Sequence, residues 1–202
     1  MKQSMKIFRL FFWVLAFFLA NHLWATNDPS IKIKETSECV LEILHSESQD
    51  IDKEILAYLS KNYNLNIIIR RTLGRNWNKV DSAHQNKVVE LIKRLVLRVY
   101  IDGMHGQMKP EIKYSKTRYL SKKRAEVPTF VYLSDKPLAL TYRVGLVSDQ
   151  WEIFDIVVEN ISIVLTYRNQ FDAFFDNNTS EALIEKLENL LMNENLGKSL
   201  PI

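Results

Sequence analysis

Residues 138–159 read LALTYRVGLVSDQWEIFDIVVE, and this stretch decides the fold class. In its first half, large apolar side chains alternate with smaller or polar ones, the pattern of a strand with one buried face. Its second half is apolar and rich in β-branched residues, and the polar link Ser148-Asp149-Gln150 suits a hairpin. The stretch therefore predicts two antiparallel strands, Leu138–Val147 and Trp151–Glu159.

Two further segments upstream have strand character, Ile112–Leu120 and Val127–Leu133, and the link Ser134-Asp135-Lys136-Pro137 is short and polar. Together the segments predict an antiparallel meander of about four strands. Because antiparallel strands joined by short links are adjacent in a sheet, we expect one twisted sheet.

Segments with apolar residues at helical spacing precede and follow the predicted strands in the sequence. The N-terminal half is predicted to be helical and the class to be α+β. Before the sheet we predict two short helices within 31–62, a helical turn Asn66–Leu73 closed by Gly74, and a long helix that runs to about Met104. Asp81 or Ser82 caps the long helix. After the sheet we predict a helix that follows Ser162 and a last helix capped by Thr179 or Ser180. The apolar residues of the long helix form a wide face, which predicts contact with two layers, or with one layer and a cavity, or burial in a thick core.

The first 25 residues have the order of a secretory signal peptide. Lys2, Lys6 and Arg9 precede the apolar run Leu10–Ala20, and Leu23-Trp24-Ala25 supplies a small residue at a cleavage point. An uncleaved anchor is the alternative, but eleven residues span about 17 Å as a helix, against a hydrocarbon core of about 30 Å. We expect residues 1–25 to be removed on export, leaving residues 26–202 as one domain.

The remaining chain is electrically neutral and has no recognisable catalytic motif. Without the three N-terminal cations there are 24 Lys+Arg and 24 Asp+Glu, which argues against nucleic-acid binding. The single Cys39 excludes an internal disulfide. The sequence contains no HExxH, GxSxG or glycine-rich phosphate loop. These observations predict neither a metal site nor a cofactor, and no catalytic residues.

Two acids in the last predicted strand leave one enzymatic alternative open. Asp155 and Glu159 lie four residues apart in an apolar context, where a carboxyl group of raised pKa can act as a base, as in small isomerases with a cone-shaped cavity. Arg143 on the neighbouring strand or Arg168 on the next helix can instead neutralise them. We favour the structural role.

A cluster of basic residues surrounds the first predicted strand and the following turn, with Tyr114 and Tyr119 among them. Its members are Lys113, Lys116, Arg118, Lys122, Lys123 and Arg124. Lysines on an edge strand protect it against aggregation, and we favour that interpretation. A docking surface for anionic lipid headgroups or for a partner is the alternative.

The segment Asp155–Phe175, DIVVENISIVLTYRNQFDAFF, resembles the signature of the MlaC family, the periplasmic phospholipid-binding component of the Mla lipid-transport system, also known as toluene-tolerance or ABC-transporter auxiliary proteins. The residues that match are Glu159, Ser162, Ile163, Val164, Tyr167, Arg168 and Phe171. LGRNW (Leu73–Trp77), followed by a long helix over Val88–Tyr100, is a second match. Asn160 stands where the family usually has Gly, and Asn readily adopts a left-handed turn.

The resemblance implies a carrier, not an enzyme, with a phospholipid as cargo. It implies transfer between an outer-membrane lipoprotein complex and an inner-membrane complex with an ABC ATPase, which maintains the lipid asymmetry of the outer membrane. A hopanoid-associated paralogue, an isomerase-type enzyme using Asp155 or Glu159, and an envelope adaptor without ligand remain alternatives. The expected shape is a twisted sheet packed by helices, similar to the cone-shaped folds of the nuclear-transport-factor and cystatin type.

For a carrier of this shape, acyl chains are expected between the concave sheet face and the helices. Strand alternation selects a set of lining residues on the sheet, and helical spacing selects an opposing set. The sheet residues are Phe130, Tyr132, Leu140, Tyr142, Val144, Phe154, Ile156 and Val158; the opposing residues are Leu73, Val96, Tyr100, Ile163, Tyr167 and Phe171. Filling a solid core is the alternative role for any of them.

Overall fold

A computed structural model of the protein describes residues 28–104, 109–132 and 136–193. The predicted signal peptide, residues 1–25, lies outside these ranges, as does Leu133 at the end of a predicted strand. Among the described helices, none is long and apolar enough to cross a bilayer.

The N-terminal half is helical, as predicted. Its elements are α1 (Pro29–Leu44), α2 (Ile51–Asn62), α3 (Leu65–Leu73), a 3-10 helix (Gly74–Lys79) and the long α4 (Ser82–Met104); after the sheet follow α5 (Ile163–Phe175) and α6 (Ser180–Met192). The predicted cap Thr179 is confirmed, since its hydroxyl accepts from Ala182 N, and the Ser162 hydroxyl caps the preceding helix by accepting from Leu165 N. Side-chain caps therefore determine where α5 and α6 begin.

The sheet is antiparallel and contains six strands, not about four. The strands are β1 (Glu111–Tyr114), β2 (Arg118–Ser121), β3 (Arg124–Tyr132), β4 (Leu138–Val147), β5 (Gln150–Val158) and the two-residue β6 (Ile161–Ser162). The ladder order is β1-β3-β4-β5-β6, and β2 pairs with β3 beside β1. The α+β class with a helical N-terminal half is confirmed.

The predicted strand Ile112–Leu120 is wrong as one element, because it divides into β1 and β2. Pro128 stands opposite the break and has no backbone N–H to donate to a ladder. Its carbonyl accepts from Ser115 N (2.8 Å), and the Thr117 hydroxyl turns away to donate to Asp28 Oδ1 (2.6 Å). Both halves still pair with β3.

A β-bulge in β5 decides which side chains share a face of the sheet. Arg143 is paired with Asp155, but the next residue, Val144, is paired with Ile153, so Phe154 is the extra residue. Directly paired residues lie on the same face. The Tyr142 face carries Ile112, Tyr114, Val127, Leu140, Tyr142, Val144, Ile153, Ile156 and Val158, and the Arg143 face carries Lys113, Glu126, Phe130, Tyr132, Arg143, Gly145 and Asp155.

Three apolar clusters hold the helices to each other and to the sheet. One joins α3, α4, α5 and α6 around Leu73, Leu95 and Phe171. A second packs Ile33 of α1 against Val144 on the Tyr142 face. A third joins α1, α2 and α4. The wide apolar face of α4 thus serves two of these clusters.

Asp155 fastens the start of α5 to the sheet. Its carboxylate accepts from Arg143 Nη1 (3.0 Å), the Ser162 hydroxyl (2.8 Å) and Val164 N (3.2 Å), and its side chain is buried. Burying a carboxylate is costly unless it is paired and hydrogen-bonded, as it is here. One side chain therefore ties β4, β5 and α5 together.

We predict that Asp155→Asn lowers the free energy of unfolding by about 2–3 kcal/mol, because it removes a buried charge that several donors share. Urea unfolding measures the difference. The exposed Asp52 in the first turn of α2 supplies a matched control, and Asp52→Asn is expected to change stability by no more than about 0.5 kcal/mol. Equal stability of the two variants would contradict the anchoring role.

Candidate functional site

The region between α4 and the Tyr142 face is the candidate binding space, because α4 makes little contact with the described strands. Among the helices, α1 packs against β3, and α3 and α5 pack against β5, whereas α4 packs chiefly against α2, α3 and α6. Much of the Tyr142 face toward the start of β4 and the end of β5 consequently keeps half-buried side chains, among them Leu140, Ile156 and Val158. Apolar side chains in such a position line a cleft and do not complete a core.

One side of α4 is apolar and exposed. Val96 and Tyr100, four residues apart and hence on one side of the helix, are 52% and 39% exposed. By contrast, the neighbouring Leu95 and Leu97 are buried in the two clusters that α4 serves. Val96 and Tyr100 therefore present a stripe that neither cluster covers.

Tyr100 and Tyr142 connect the two sides of the space. Burial raises the pKa of the Tyr142 hydroxyl, and the nearby hydroxyls of Tyr114, Tyr100 and Tyr63 raise it further. Burial also raises the pKa of Tyr100, although its side chain remains partly accessible. Tyr100 is therefore largely surrounded by protein but still partly accessible, as expected of a side chain that lines a concave surface.

Two more tyrosines complete this group at the α1 side. The Tyr63 hydroxyl lies 2.8 Å from the Thr36 hydroxyl, and burial, with smaller contributions from its neighbours, raises its pKa to about 12. The Tyr114 hydroxyl is buried and has no hydrogen-bond partner among the described residues. The tyrosine cluster, Tyr63, Tyr100, Tyr114 and Tyr142, thus groups four hydroxyls around Tyr142.

The predicted lining residues separate into groups in the structure. Six of them lie on the uncovered stripe of α4 or on the Tyr142 face of the sheet: Val96, Tyr100, Leu140, Tyr142, Ile156 and Val158. Ile163 is half-buried at the start of α5, and Tyr167 packs on the cluster of α3, α4, α5 and α6. Contact of any of these residues with a ligand stays a prediction.

Three predicted lining residues lie on the opposite face of the sheet from Leu140 and Tyr142. Phe130 is paired with Ala139 and Tyr132 with Glu111, which places both on the Arg143 face. The bulge shifts Phe154 to the same face, where its ring lies 3.6 Å from the position of a Cβ on Gly145. Alternation within one strand shows which of its residues share a face, but it does not show which face of the next strand lies on the same side of the sheet. It also does not reveal a bulge.

Three others are packed inside solid clusters. Leu73 and Phe171 belong to the helical cluster, and Val144 lies under α1. Each is at most 2% exposed and borders no open space in this structure. For these residues the core-filling role fits the structure better than a lining role.

Tyr63 and Tyr114 of the tyrosine cluster were not among the predicted lining residues. Ile112 and Tyr114 alternate in β1, so the strand pattern carried a signal for Tyr114 once the register with β3 was known. Tyr63 follows the end of α2 and meets Tyr142 only through tertiary packing. No local pattern marks it.

Asp155 and Glu159 do not form a pair facing the space. Asp155 lies on the Arg143 face, and its two oxygens are engaged by Arg143, Ser162 and the start of α5. Glu159 is beyond the end of β5 in a turn with φ of 47°, and its carboxylate accepts from Ala139 N (2.7 Å). Asn160 follows with φ of 68°, the left-handed conformation expected of it.

Two groups of polar residues lie outside the candidate site. A cleft of about 320 Å³ between the α2–α3 link, Lys93 and Glu152 is lined almost entirely by polar groups, which does not suit an acyl chain. Asp81, His84 and Glu181 also converge, with Ser180 donating to Asp81 and lying 3.2 Å from His84 Nδ1. These contacts join the starts of α4 and α6 and account for the cluster structurally.

We predict that Val96→Trp weakens binding of the amphiphilic dye anilinonaphthalenesulfonate about tenfold, equivalent to about 1.4 kcal/mol, because an indole occupies the space between α4 and the sheet. Fluorescence titration measures the affinity. Val147→Trp is the matched control, since Val147 is 50% exposed but lies on the other face at the end of β4. If both variants bind dye as the wild type does, the space is not a binding site.

We also predict an alkaline loss of stability from the tyrosine cluster. Tyr63 has its folded-state pKa raised from 10.0 to about 12, so folding favours the neutral phenol. Its contribution is complete below the unfolded pKa of about 10 and is lost as pH rises to about 12. Urea unfolding across this range should show a shallower decline for Tyr63→Phe than for the wild type; identical declines would be the contrary result.

Comparisons with known proteins agree with this fold. A search of curated proteins found no match. The phospholipid-binding protein from Ralstonia solanacearum, solved in complex with a phospholipid, is similar with a TM-score of 0.68 and 19% identity, covering 80% of this chain and 96% of that one. At this identity the likeness shows the shared fold. The family model described as MlaC protein matches residues 34–189, and the chain belongs to the MlaC family.

Proposed function

We propose that this protein is a periplasmic phospholipid carrier that binds its cargo between α4 and the Tyr142 face. The observation that carries the proposal is the exposed apolar stripe of Val96 and Tyr100 opposite a half-buried apolar sheet face. Membership of the MlaC family and the fold shared with a phospholipid-bound protein support it. The predicted signal peptide at residues 1–25 accounts for export, and residues 26–202 form the carrier.

The energetics of an acyl chain explain the need for a protein cavity. Each buried methylene is worth about 0.8 kcal/mol, so a chain of about sixteen carbons costs roughly 12 kcal/mol to expose to water. Spontaneous release into the periplasm is therefore very slow. Transfer requires docking that offers the chain a continuous apolar path.

The polar groups of the site suit an amphiphile and not a hydrocarbon alone. The buried Tyr114 hydroxyl without a partner can donate to an ester or phosphate oxygen, and such a bond removes the cost of leaving it unsatisfied. The acyl chains then lie along Leu140, Ile156 and Val158. The cargo is bound without any chemical step or cofactor.

An enzymatic role for Asp155 or Glu159 has less support. Asp155 is held on the opposite face by Arg143 and Ser162, and Glu159 is exposed in a turn. A general base must reach the bound substrate within hydrogen-bond distance, and neither carboxylate lies at the apolar space. We therefore propose that the protein is not an enzyme, and that the two acids are structural.

The partners that the family suggests complete the proposal. Phospholipid passes between an outer-membrane lipoprotein complex and an inner-membrane complex with an ABC ATPase, which preserves the lipid asymmetry of the outer membrane. Each exchange is transient, since a carrier that remained bound to either complex would stop transfer. A pure adaptor would need no apolar stripe on α4.

The test is to express the full chain in a Gram-negative bacterium and purify it from the periplasm. Native mass spectrometry and extraction with organic solvent should show a stoichiometric phospholipid and a chain that begins at Thr26. Val96→Trp should lose most of this lipid, and Val147→Trp should keep it. Wild-type protein that is folded and free of lipid would refute the carrier and favour the adaptor.

A further inference from the structure

The hairpin at one end of the sheet combines unpaired cations with exposed apolar side chains. We define the basic hairpin as residues 115–124, which comprise β2, its flanks and the turn at Lys122 and Lys123. It contains five cations, Lys116, Arg118, Lys122, Lys123 and Arg124, and no acid. Every residue of β2 is exposed.

Most of this charge is not neutralised within the protein. Arg118 donates to Glu126 (2.7 Å), which Arg143 also approaches, and Arg124 lies over the Phe154 ring. Lys116, Lys122 and Lys123 have no ion pair among the described residues. The nearby Asp28 is engaged by Thr117 and Ser30 N. A positive surface therefore remains for an external anion.

Protection of an edge strand explains the lysines but not their apolar neighbours. Tyr119 and Leu120 are 57% and 62% exposed, and the Tyr119 ring rests against Trp151 with 6.2 Å between centroids. Exposed apolar residues on an edge strand promote aggregation, so a protective surface would lack them. Basic residues around aromatic and aliphatic side chains are typical of surfaces that lie on anionic bilayers.

The shape and position of the hairpin favour a bilayer over a small anion. A tight turn at the tip of two strands is convex and cannot enclose a free phosphate or a single headgroup. β3 leads directly from this tip to the candidate site, since Ala125 is paired with Val144 and Val127 with Tyr142. A docked hairpin would hold the site close to the membrane that supplies or receives cargo.

We propose that the basic hairpin docks this protein on the surface of an anionic phospholipid bilayer. Lys116, Lys122 and Lys123 attract the headgroups, and Leu120 and Tyr119 enter the interface. This docking rests on the proposed carrier function, and it adds a direct contact with the lipid surface that needs no protein partner.

Vesicle flotation tests the docking with phosphatidylcholine vesicles that contain or lack phosphatidylglycerol. We expect wild-type protein to bind only the anionic vesicles and to dissociate at high salt. Replacing Lys116, Lys122 and Lys123 together by Gln should weaken binding about a hundredfold, since each cation near an anionic surface contributes about fivefold. Leu120→Ser should weaken it further at unchanged charge.

A matched triple variant controls for net charge. Lys34, Lys53 and Lys136 are exposed outside the hairpin, and their replacement by Gln should leave vesicle binding unchanged. Equal losses in the two triple variants, no binding by wild type, or binding only to an acidic envelope protein would overturn the docking. Native mass spectrometry of the same variants keeps the proposals separate, because retained cargo without vesicle binding refutes the docking alone.

Discussion

The bulge at Phe154 is the constraint on which the rest of the structure depends. Without it, and with Arg143 still paired with Asp155, Phe154 would share the Tyr142 face with Ile156, and Ile153 would turn to the Arg143 face. With it, Ile153 and Ile156 share the Tyr142 face, while Asp155 turns to Arg143 and fastens the start of α5. One extra residue in a strand thus separates an apolar face from an ionic anchor.

This separation explains why an apolar space persists beside well-packed clusters. α1 covers the part of the Tyr142 face around Val144, and α3 and α5 pack against β5. α4 is held by its contacts with the other helices, so it need not approach the sheet, and its stripe of Val96 and Tyr100 stays uncovered. The contacts that hold α4 in place are therefore made by the other helices and not by the sheet.

The sequence predicted the elements better than the site. Helical spacing, the cap at Thr179 and the strand character of residues 138–147 are local signals, and each was confirmed. The division of the first predicted strand depends on Pro128, which stands in another strand, and so escaped a local interpretation. The misassignment of Phe154 has the same origin, because a bulge is a property of a strand pair and not of one sequence segment.

The central claim is that the acyl chains lie on the Tyr142 face, and photo-crosslinking tests it most directly. The protein is loaded with a phospholipid that carries a diazirine in one acyl chain, irradiated, digested and analysed by mass spectrometry. The account predicts adducts at Tyr100, Tyr142 and Ile156. Adducts confined to Phe130 or Phe154, on the Arg143 face, would contradict it.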